Sequence, residues 1–207
     1  MRRLPVMLTL ALAVLGMLGA AAAASAQRTG TVSIVVRPVH ANGHPVAGWT
    51  VVRQSIADFR CNGGASVSAV DPNIVFCGYS ATYTPSCWKS RNSTALCLRN
   101  PRSHTLYRIP YVGRFVGAAA PAHPQPQALK LRDNGYCEIR DGGAWGSPPT
   151  RPLWYGTYGC NSGGGIYTGS GDGIDTSVNP WRVHVWKGGP TILRDRVTTA
   201  YFVGTAS

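Results

Sequence analysis

Six cysteines constrain this chain more strongly than any other feature of its sequence. They stand at Cys61, Cys77, Cys87, Cys97, Cys137 and Cys160. A structural zinc site usually has ligand pairs about two to four residues apart, and a thiol redox site uses C-x-x-C; neither spacing occurs here. An even number of widely spaced cysteines behind an export signal indicates a disulfide framework. We therefore expect disulfides, no metal ion and no cofactor.

Connectivity is not fixed by sequence alone, but neighbouring cysteines bracket turn-rich stretches such as "CWKSRNSTALC". Each stretch begins and ends in strand-like residues. Two antiparallel strands would bring the bracketing cysteines opposite one another, at the short Cα separation that a disulfide needs. The favoured pairing is therefore sequential: 61–77, 87–97 and 137–160. In the hairpin between Cys87 and Cys97, "SRNST" is expected to form the turn.

The N-terminus predicts export. Arg2 and Arg3 precede an apolar run from Val6 to Ala24, and small residues stand at Ala24 and Ala26, where a signal peptidase needs them. The alternative is an uncleaved membrane anchor, but the second half of the run is mostly Ala and Gly, which insert weakly. We expect residues 1–26 to be a signal peptide, the mature protein to be secreted or associated with the cell wall, and no membrane span after cleavage.

The mature chain is strongly basic. Removing Arg2 and Arg3 takes the basic residues from 20 to 18 against 8 acidic ones, a net charge of +10. Such a surplus favours polyanions, among them anionic cell-wall polymer, acidic lipid and nucleic acid. No four basic residues follow one another, so no dedicated nucleic-acid site is expected. The alternative is a basic surface without a specific partner.

Period-2 alternation of apolar residues predicts a mainly β fold. The clearest strands are "TVSIVVR", "WRVHVW" and "RVTTAYFV", and others are expected near 46–53, 73–79, 94–99, 104–112, 128–132, 136–140 and 153–159. The fold class is disulfide-stapled antiparallel sheets, arranged as a sandwich or as two small packed β subdomains. The Pro/Ala-rich stretch 117–127, "GAAAPAHPQPQ", is predicted to be a crossover between an N-terminal subdomain, 27–116, and a C-terminal subdomain, 128–207.

Three segments carry a family resemblance. "SCWKSRNSTALCLRNP", "GYCEIRDGGAWG" and the terminal "TTAYFVGTAS" resemble segments of secreted actinobacterial proteins of unknown function, mycobacterial ones included. The resemblance implies export and a cysteine framework of this kind. It implies no reaction, cofactor or binding residue.

Groups capable of catalysis are scattered along the chain, and we assign none of them a catalytic role. "HANGH" places His40 and His44 across a turn without a third metal ligand nearby. Asp71, Asp133, Asp141 and Asp172 stand in turn sequences, where aspartate caps its own backbone. "CNSGGG" and "GSGDG" lack the strand and helix that flank the nucleophile of a serine hydrolase.

The aromatic residues provide the best candidate ligand surface. Its members are Trp154, Tyr155, Tyr158, Arg182, His184 and Trp186. Exposed rings beside arginine would stack on sugars and attract anions, whereas the alternative places the same rings in a core between thin sheets. We expect a non-catalytic envelope or extracellular interaction protein that binds anionic glycopolymer. The alternative is a small secreted hydrolase whose site is assembled from distant residues.

Overall fold

A computed structural model describes residues 30–79, 83–140 and 145–207, so the predicted signal peptide lies outside the described residues. Within these ranges the chain forms strands and no helix, and it therefore contains no apolar helix long enough to cross a bilayer. The strands are β1 Val32–Val36, β2 Thr50–Arg53, β3 Ile74–Cys77, β4 Thr84–Lys89, β5 Thr94–Leu98, β6 Thr105–Pro110, β7 Ala128–Leu131, β8 Tyr136–Ile139, β9 Tyr155–Cys160, β10 Gly165–Thr168, β11 Ile174–Asp175, β12 Arg182–Trp186 and β13 Ile192–Val203.

The predicted mainly β class is confirmed, and a strand lies at each predicted position. Alternation of apolar residues did not reveal β4, β10 or β11, although the predicted hairpin from Cys87 to Cys97 requires the end of β4. β4 contains Pro85, which disfavours a strand on sequence grounds, and β10 begins within a run of glycines. β11 has two residues, too few to show an alternation.

The C-terminal strands close into a six-stranded barrel. Their order is β13-β7-β8-β9-β10-β12, and β12 pairs again with β13. Closure depends on the length of β13: its first part pairs with β12, from Ile192 to Arg196, and its later part pairs with β7 on the other edge. A barrel has no free sheet edge, which protects the strands from pairing with other chains. Residues buried in its interior include Leu129, Tyr158, Ile166, Val185 and Val197.

β1 and β11 extend the barrel's sheet beside β13 and β12, and the other five strands form a second sheet in the order β2-β6-β5-β4-β3. In this second sheet β2 is parallel to β6 and the other pairs are antiparallel. One face of this sheet packs Trp88, Leu96 and Leu106 against Val203 from the end of β13. The other face buries Phe59 and Ile109 together with two disulfides. The second sheet therefore has a core on both faces, one of them shared with the barrel.

The disulfides join Cys61 to Cys77, Cys87 to Cys97 and Cys137 to Cys160, so the sequential pairing is confirmed. Cys87 lies directly opposite Cys97 in the β4–β5 pair, and Cys137 lies opposite Cys160 in β8–β9. Antiparallel neighbours set these distances, with Cα atoms 4.0 Å apart in both pairs. Each of these staples therefore locks an existing strand pair.

Each half of the chain contributes a segment that packs on the other half. β1 comes from the N-terminal half and pairs in parallel with β13, Val32 lying beside Thr199. In return, the chain beyond β13 lies on the N-terminal half, where Trp88 Nε1 donates to Thr205 Oγ1 at 3.1 Å. The stretch 117–127 connects the halves and follows their surfaces, since the amide of Gln125 donates to the carbonyl of Val67.

Candidate functional site: an aromatic and arginine face of the barrel

Tyr158 belongs to the barrel core rather than to the candidate ligand surface. Its side chain is 1% exposed, and its hydroxyl donates to the carbonyl of Pro126 at 2.7 Å. Burial raises the pKa of the Tyr158 phenol well above its ordinary value, so the group stays neutral. Tyr155 points the other way: it is 46% exposed, and its hydroxyl donates to the carbonyl of Gly171.

Three glycines form a flat floor for the indole of Trp145. A Cβ on Gly156 would overlap this ring, and Cβ atoms on Gly159 and Gly165 would lie 3.0 and 2.6 Å from it. Strict alternation would place Gly156 with Tyr158 on one face of β9. The register between β9 and β10 shifts at Ile166, however, and this bulge brings Gly156 and Gly159 beneath the same ring.

An aromatic row begins at Trp145 and crosses to β12. The ring of Trp145 lies 6.1 Å from that of Tyr167, which contacts Trp186 edge-on at 5.1 Å. Tyr167 is buried between them, and its burial raises the pKa of its hydroxyl. The indole nitrogen of Trp186 donates to the carbonyl of Gly189, which fixes the outer ring. The row therefore presents the two tryptophans at its ends.

A second aromatic pair lies beside the row. The rings of Trp154 and His184 are 5.1 Å apart, and the Arg151 guanidinium lies 5.6 Å from the Trp154 ring. Burial, followed by the charges of Arg194 and Arg151, holds the pKa of His184 below its ordinary value, and Asp175 opposes this shift. The positive surroundings of His184 thus disfavour a further cation.

Strand pairing concentrates arginines at the same place. In the β12–β13 pair, Arg182 lies beside Arg196 and His184 lies beside Arg194. Like charges directly opposite one another destabilise a sheet. The nearby carboxylate of Asp195 is buried, and it accepts hydrogen bonds from the side-chain amide of Asn134 and the backbone amide of Arg196.

We call this surface the aromatic–arginine face. It consists of Trp145, Arg151, Trp154, Tyr167, Arg182, His184, Trp186, Arg194 and Arg196. The sequence singled out four of these residues: Trp154, Arg182, His184 and Trp186. Arg194 and Arg196 alternate in "ILRDRV" and could have been found by their period of two. The place of Trp145 depends on the bulge, which no local pattern reveals. Chemically, the face offers flat rings for stacking and guanidinium groups for anions.

The described histidines, cysteines and acids contain one cluster with metal-like spacing, and it is not a metal site. Cys77, Cys87 and Cys97 have sulfur atoms within 4.8 Å of one another, but each is bonded in a disulfide. His40 and His44 do flank a turn, and the His40 ring lies against the C-terminal residue, with Nδ1 3.0 Å from the Ser207 carbonyl oxygen.

The aspartates that were predicted to cap turns differ in their contacts: the Asp133 carboxylate lies 3.6 Å from Arg132 Nε. Asp172 accepts a hydrogen bond from the amide of Ile174, two residues on, as its turn sequence predicted. Asp71 is different, because its carboxylate pairs with Arg37 and accepts a hydrogen bond from the backbone amide of Thr205. It therefore holds the C-terminal chain in place. Asp141 lies outside the described residues.

Comparisons with protein-family models, curated proteins and solved structures returned no match.

Proposed function

We propose that the protein is a secreted, non-catalytic interaction protein of the cell envelope or extracellular medium, and that it binds an anionic glycopolymer through the aromatic–arginine face. The observation that carries the proposal is the cross-strand group of Arg182, His184, Arg194 and Arg196 beside partly exposed indoles. The three arginines repel one another in the free protein; Asp175, opposite Arg182 in the β11–β12 pair, offsets part of that repulsion, and a polyanion would offset the rest.

An anionic carbohydrate polymer would use both the indole rings and the arginines of this face. Indole rings such as Trp154 and Trp186 provide flat apolar platforms for sugar rings, and arginine forms paired hydrogen bonds with carboxylate, sulfate or phosphate groups. The depression lined by Arg182, Arg194, Asp195 and Arg196 has a volume of about 240 Å³ and opens onto the surface. An open face of this kind fits a chain lying across it better than an enclosed small molecule.

The extracellular setting has separate support. Three disulfides persist in an oxidising compartment, and the N-terminal sequence has the layout of a signal peptide. The resemblance to secreted actinobacterial proteins suggests the cell wall as the place where an acidic polymer would be met.

Binding to isolated actinobacterial cell wall and to dextran sulfate should weaken steeply with salt, because exposed charges are screened beyond about 10 Å near 0.1 M ionic strength. Stacking on the tryptophans should leave a salt-resistant remainder, which the double variant W154A/W186A should lose. Retention measured from low to high salt, with neutral dextran as the uncharged reference, gives both quantities.

Trp49→Ala is the matched control, since Trp49 is a partly buried tryptophan that stacks on His104 on the second sheet. It should leave retention unchanged. Thermal unfolding of W154A/W186A would show whether the variant is folded. Absence of retention on cell wall even at low salt would end the proposal and favour the hydrolase alternative.

Affinity for dextran sulfate should also rise as the pH falls from about 7.5 to 5.5, because a bound polyanion offsets the positive neighbours that disfavour protonated His184. Binding then takes up a proton, and lower pH favours a proton-consuming step. Sulfate esters keep their charge over this range, so the change belongs to the protein. His184→Gln should flatten the profile in a titration by isothermal calorimetry.

The stability of the free protein should change with pH in the opposite direction: affinity rises as the pH falls, whereas stability falls. A pKa lowered on folding means that the unfolded chain binds more protons, so this group costs stability as the pH falls through about 6.5. His123→Gln is the control, because His123 is exposed in the crossover, and its affinity for dextran sulfate should depend on pH as in the unaltered protein. If the affinity of H184Q changed with pH as much as that of the unaltered protein, His184 would not be the group responsible.

A further inference from the structure

A second concentration of positive charge lies in a groove at one end of the second sheet, and its described lining includes no barrel strand. The groove has a volume of about 430 Å³, and its lining includes Arg53, Gln54, Arg91, Asn92, Thr94 and Arg108. None of the described residues that line it is acidic. Arg37 pairs with Asp71 and Arg132 pairs with Asp133, and neither pair belongs to this groove. The three guanidinium groups therefore face one another without a counter-ion from the described chain.

The fold forces these charges together. Arg53 and Arg108 are direct neighbours in the parallel β2–β6 pair, which destabilises the free sheet. Arg91 enters from the β4–β5 turn, where Thr94 N donates to the Arg91 carbonyl. The two central turn residues, Asn92 and Ser93, have φ of 55° and 50°, a left-handed conformation that is costly for serine.

Arg108 is held in place by neutral groups. Its Nη1 donates to Ser90 Oγ at 2.9 Å and to Thr94 Oγ1 at 3.3 Å, and Ser90 Oγ donates in turn to the carbonyl of Gly43. Hydroxyl acceptors orient the guanidinium without cancelling its charge. Burial, then the charges of Arg91 and Arg53, hold the pKa of Arg108 below its ordinary value. The groove thus keeps a preorganised positive charge.

The side chain of Gln54 indicates that the ligand carries a hydroxyl group as well as an anionic group. Gln54 lines the groove, and its side-chain oxygen is buried without a hydrogen-bond partner. An unpaired buried acceptor is costly, and rotation of the Gln54 amide toward the groove would let a ligand hydroxyl satisfy it.

We propose that this arginine groove binds a phosphate monoester carried on a hydroxylated skeleton, such as a phosphorylated sugar. A phosphate monoester carries a charge near −2 and three acceptor oxygens, which three guanidiniums match better than the two oxygens and single charge of a carboxylate. The groove volume lies within the range of small-molecule sites. This site shares no residue with the aromatic–arginine face, so different variants test the two proposals.

Isothermal calorimetry with glucose 6-phosphate at constant ionic strength tests the site. Glucose 6-phosphate should bind saturably, and glucuronate should bind roughly tenfold more weakly, the equivalent of one charge-assisted contact. R53Q/R91Q should weaken glucose 6-phosphate by at least roughly tenfold on the same basis. Q54L should remove the preference for glucose 6-phosphate over inorganic phosphate while leaving phosphate bound.

The double variant R60Q/R114Q is the charge-matched control, because both arginines are exposed and neither lines the groove. It should bind glucose 6-phosphate like the unaltered protein. R53Q/R91Q should also unfold at no lower temperature without ligand, since a like-charge contact has been removed. Absence of saturable binding, or equal weakening in R60Q/R114Q, would overturn the proposal.

Phosphorylated dextran separates the two sources of such a group. Competition with glucose 6-phosphate would show that polymer-borne phosphate enters the groove, and lack of competition would assign it to free phosphosugars. Both outcomes support a phosphate monoester site, and they distinguish a polymer-borne phosphate from a free phosphosugar as its ligand.

Discussion

Replacing Gln127 by leucine should lower the free energy of unfolding by about 3–5 kcal/mol, because it leaves several buried polar groups unpaired. Gln127 is completely buried at the start of the barrel. Its side-chain nitrogen donates to the carbonyls of Leu98 and Arg99, both at 2.9 Å, and its oxygen accepts the Ser86 hydroxyl at 2.6 Å. Leucine has a similar volume, so the loss would come from hydrogen bonding rather than from a cavity. Urea denaturation followed by circular dichroism measures it.

Two variants test this origin of the effect. Gln125→Leu changes a partly exposed glutamine two residues away and should cost less than about 0.5 kcal/mol, as surface substitutions do. Ser86→Ala removes one member of the network, in which Ser66 and Ser86 hydroxyls lie 2.7 Å apart, and should cost less than Q127L. A Q127L protein within about 1 kcal/mol of the unaltered one would show that the network does not stabilise the junction.

Gln127 also shows where sequence patterns stop being informative. The Pro/Ala-rich composition of 117–127 predicts an extended crossover, and its last residue is polar, which favours exposure. The structure instead buries Gln127 between the second sheet and the barrel, where Ser86 and Leu98 lie within hydrogen-bonding distance. Its partners come from strands 29 and 41 residues earlier, and no local pattern encodes contacts over that separation.

Local features were predicted because local contacts determine them. Cys87 and Cys97 are joined by a hairpin, so their pairing follows from the turn between them. Barrel closure and the pairing of Val32 with Thr199 join residues from opposite ends of the chain. Alternation identifies such strands without naming their neighbours, so the sequence predicted sheets but neither the barrel nor the parallel β1.

The same distinction divides the binding surfaces. Arg182, His184 and Trp186 alternate with buried valines on β12, so period two identifies them as an outward row. The arginine groove depends on the register that places Arg53 beside Arg108 across two parallel strands. Parallel neighbours are joined by long connections, and the sequence therefore gives no sign that these two charges meet.

Removing the Cys137–Cys160 disulfide with the double variant C137A/C160A should cost about 3–5 kcal/mol. This disulfide closes the longest of the three loops, with a sequence separation of 23 against 16 and 10 for the others. In the chain-entropy model, its loss should cost about 0.7 kcal/mol more than loss of Cys87–Cys97. Cys137 is also completely buried in the barrel core, so alanine leaves space there that neighbouring side chains fill incompletely.

The comparison with C87A/C97A tests this ranking, since both double variants leave no free thiol and both remove a pair of directly opposed cysteines. Urea denaturation gives the two unfolding free energies, and intact mass under non-reducing conditions shows that the other two disulfides remain. The barrel staple should be the costlier loss because it closes the longer loop, a difference that the fuller burial of Cys87 and Cys97 reduces. If C137A/C160A were as stable as C87A/C97A or more so, loop length would not decide which of these disulfides contributes more to stability.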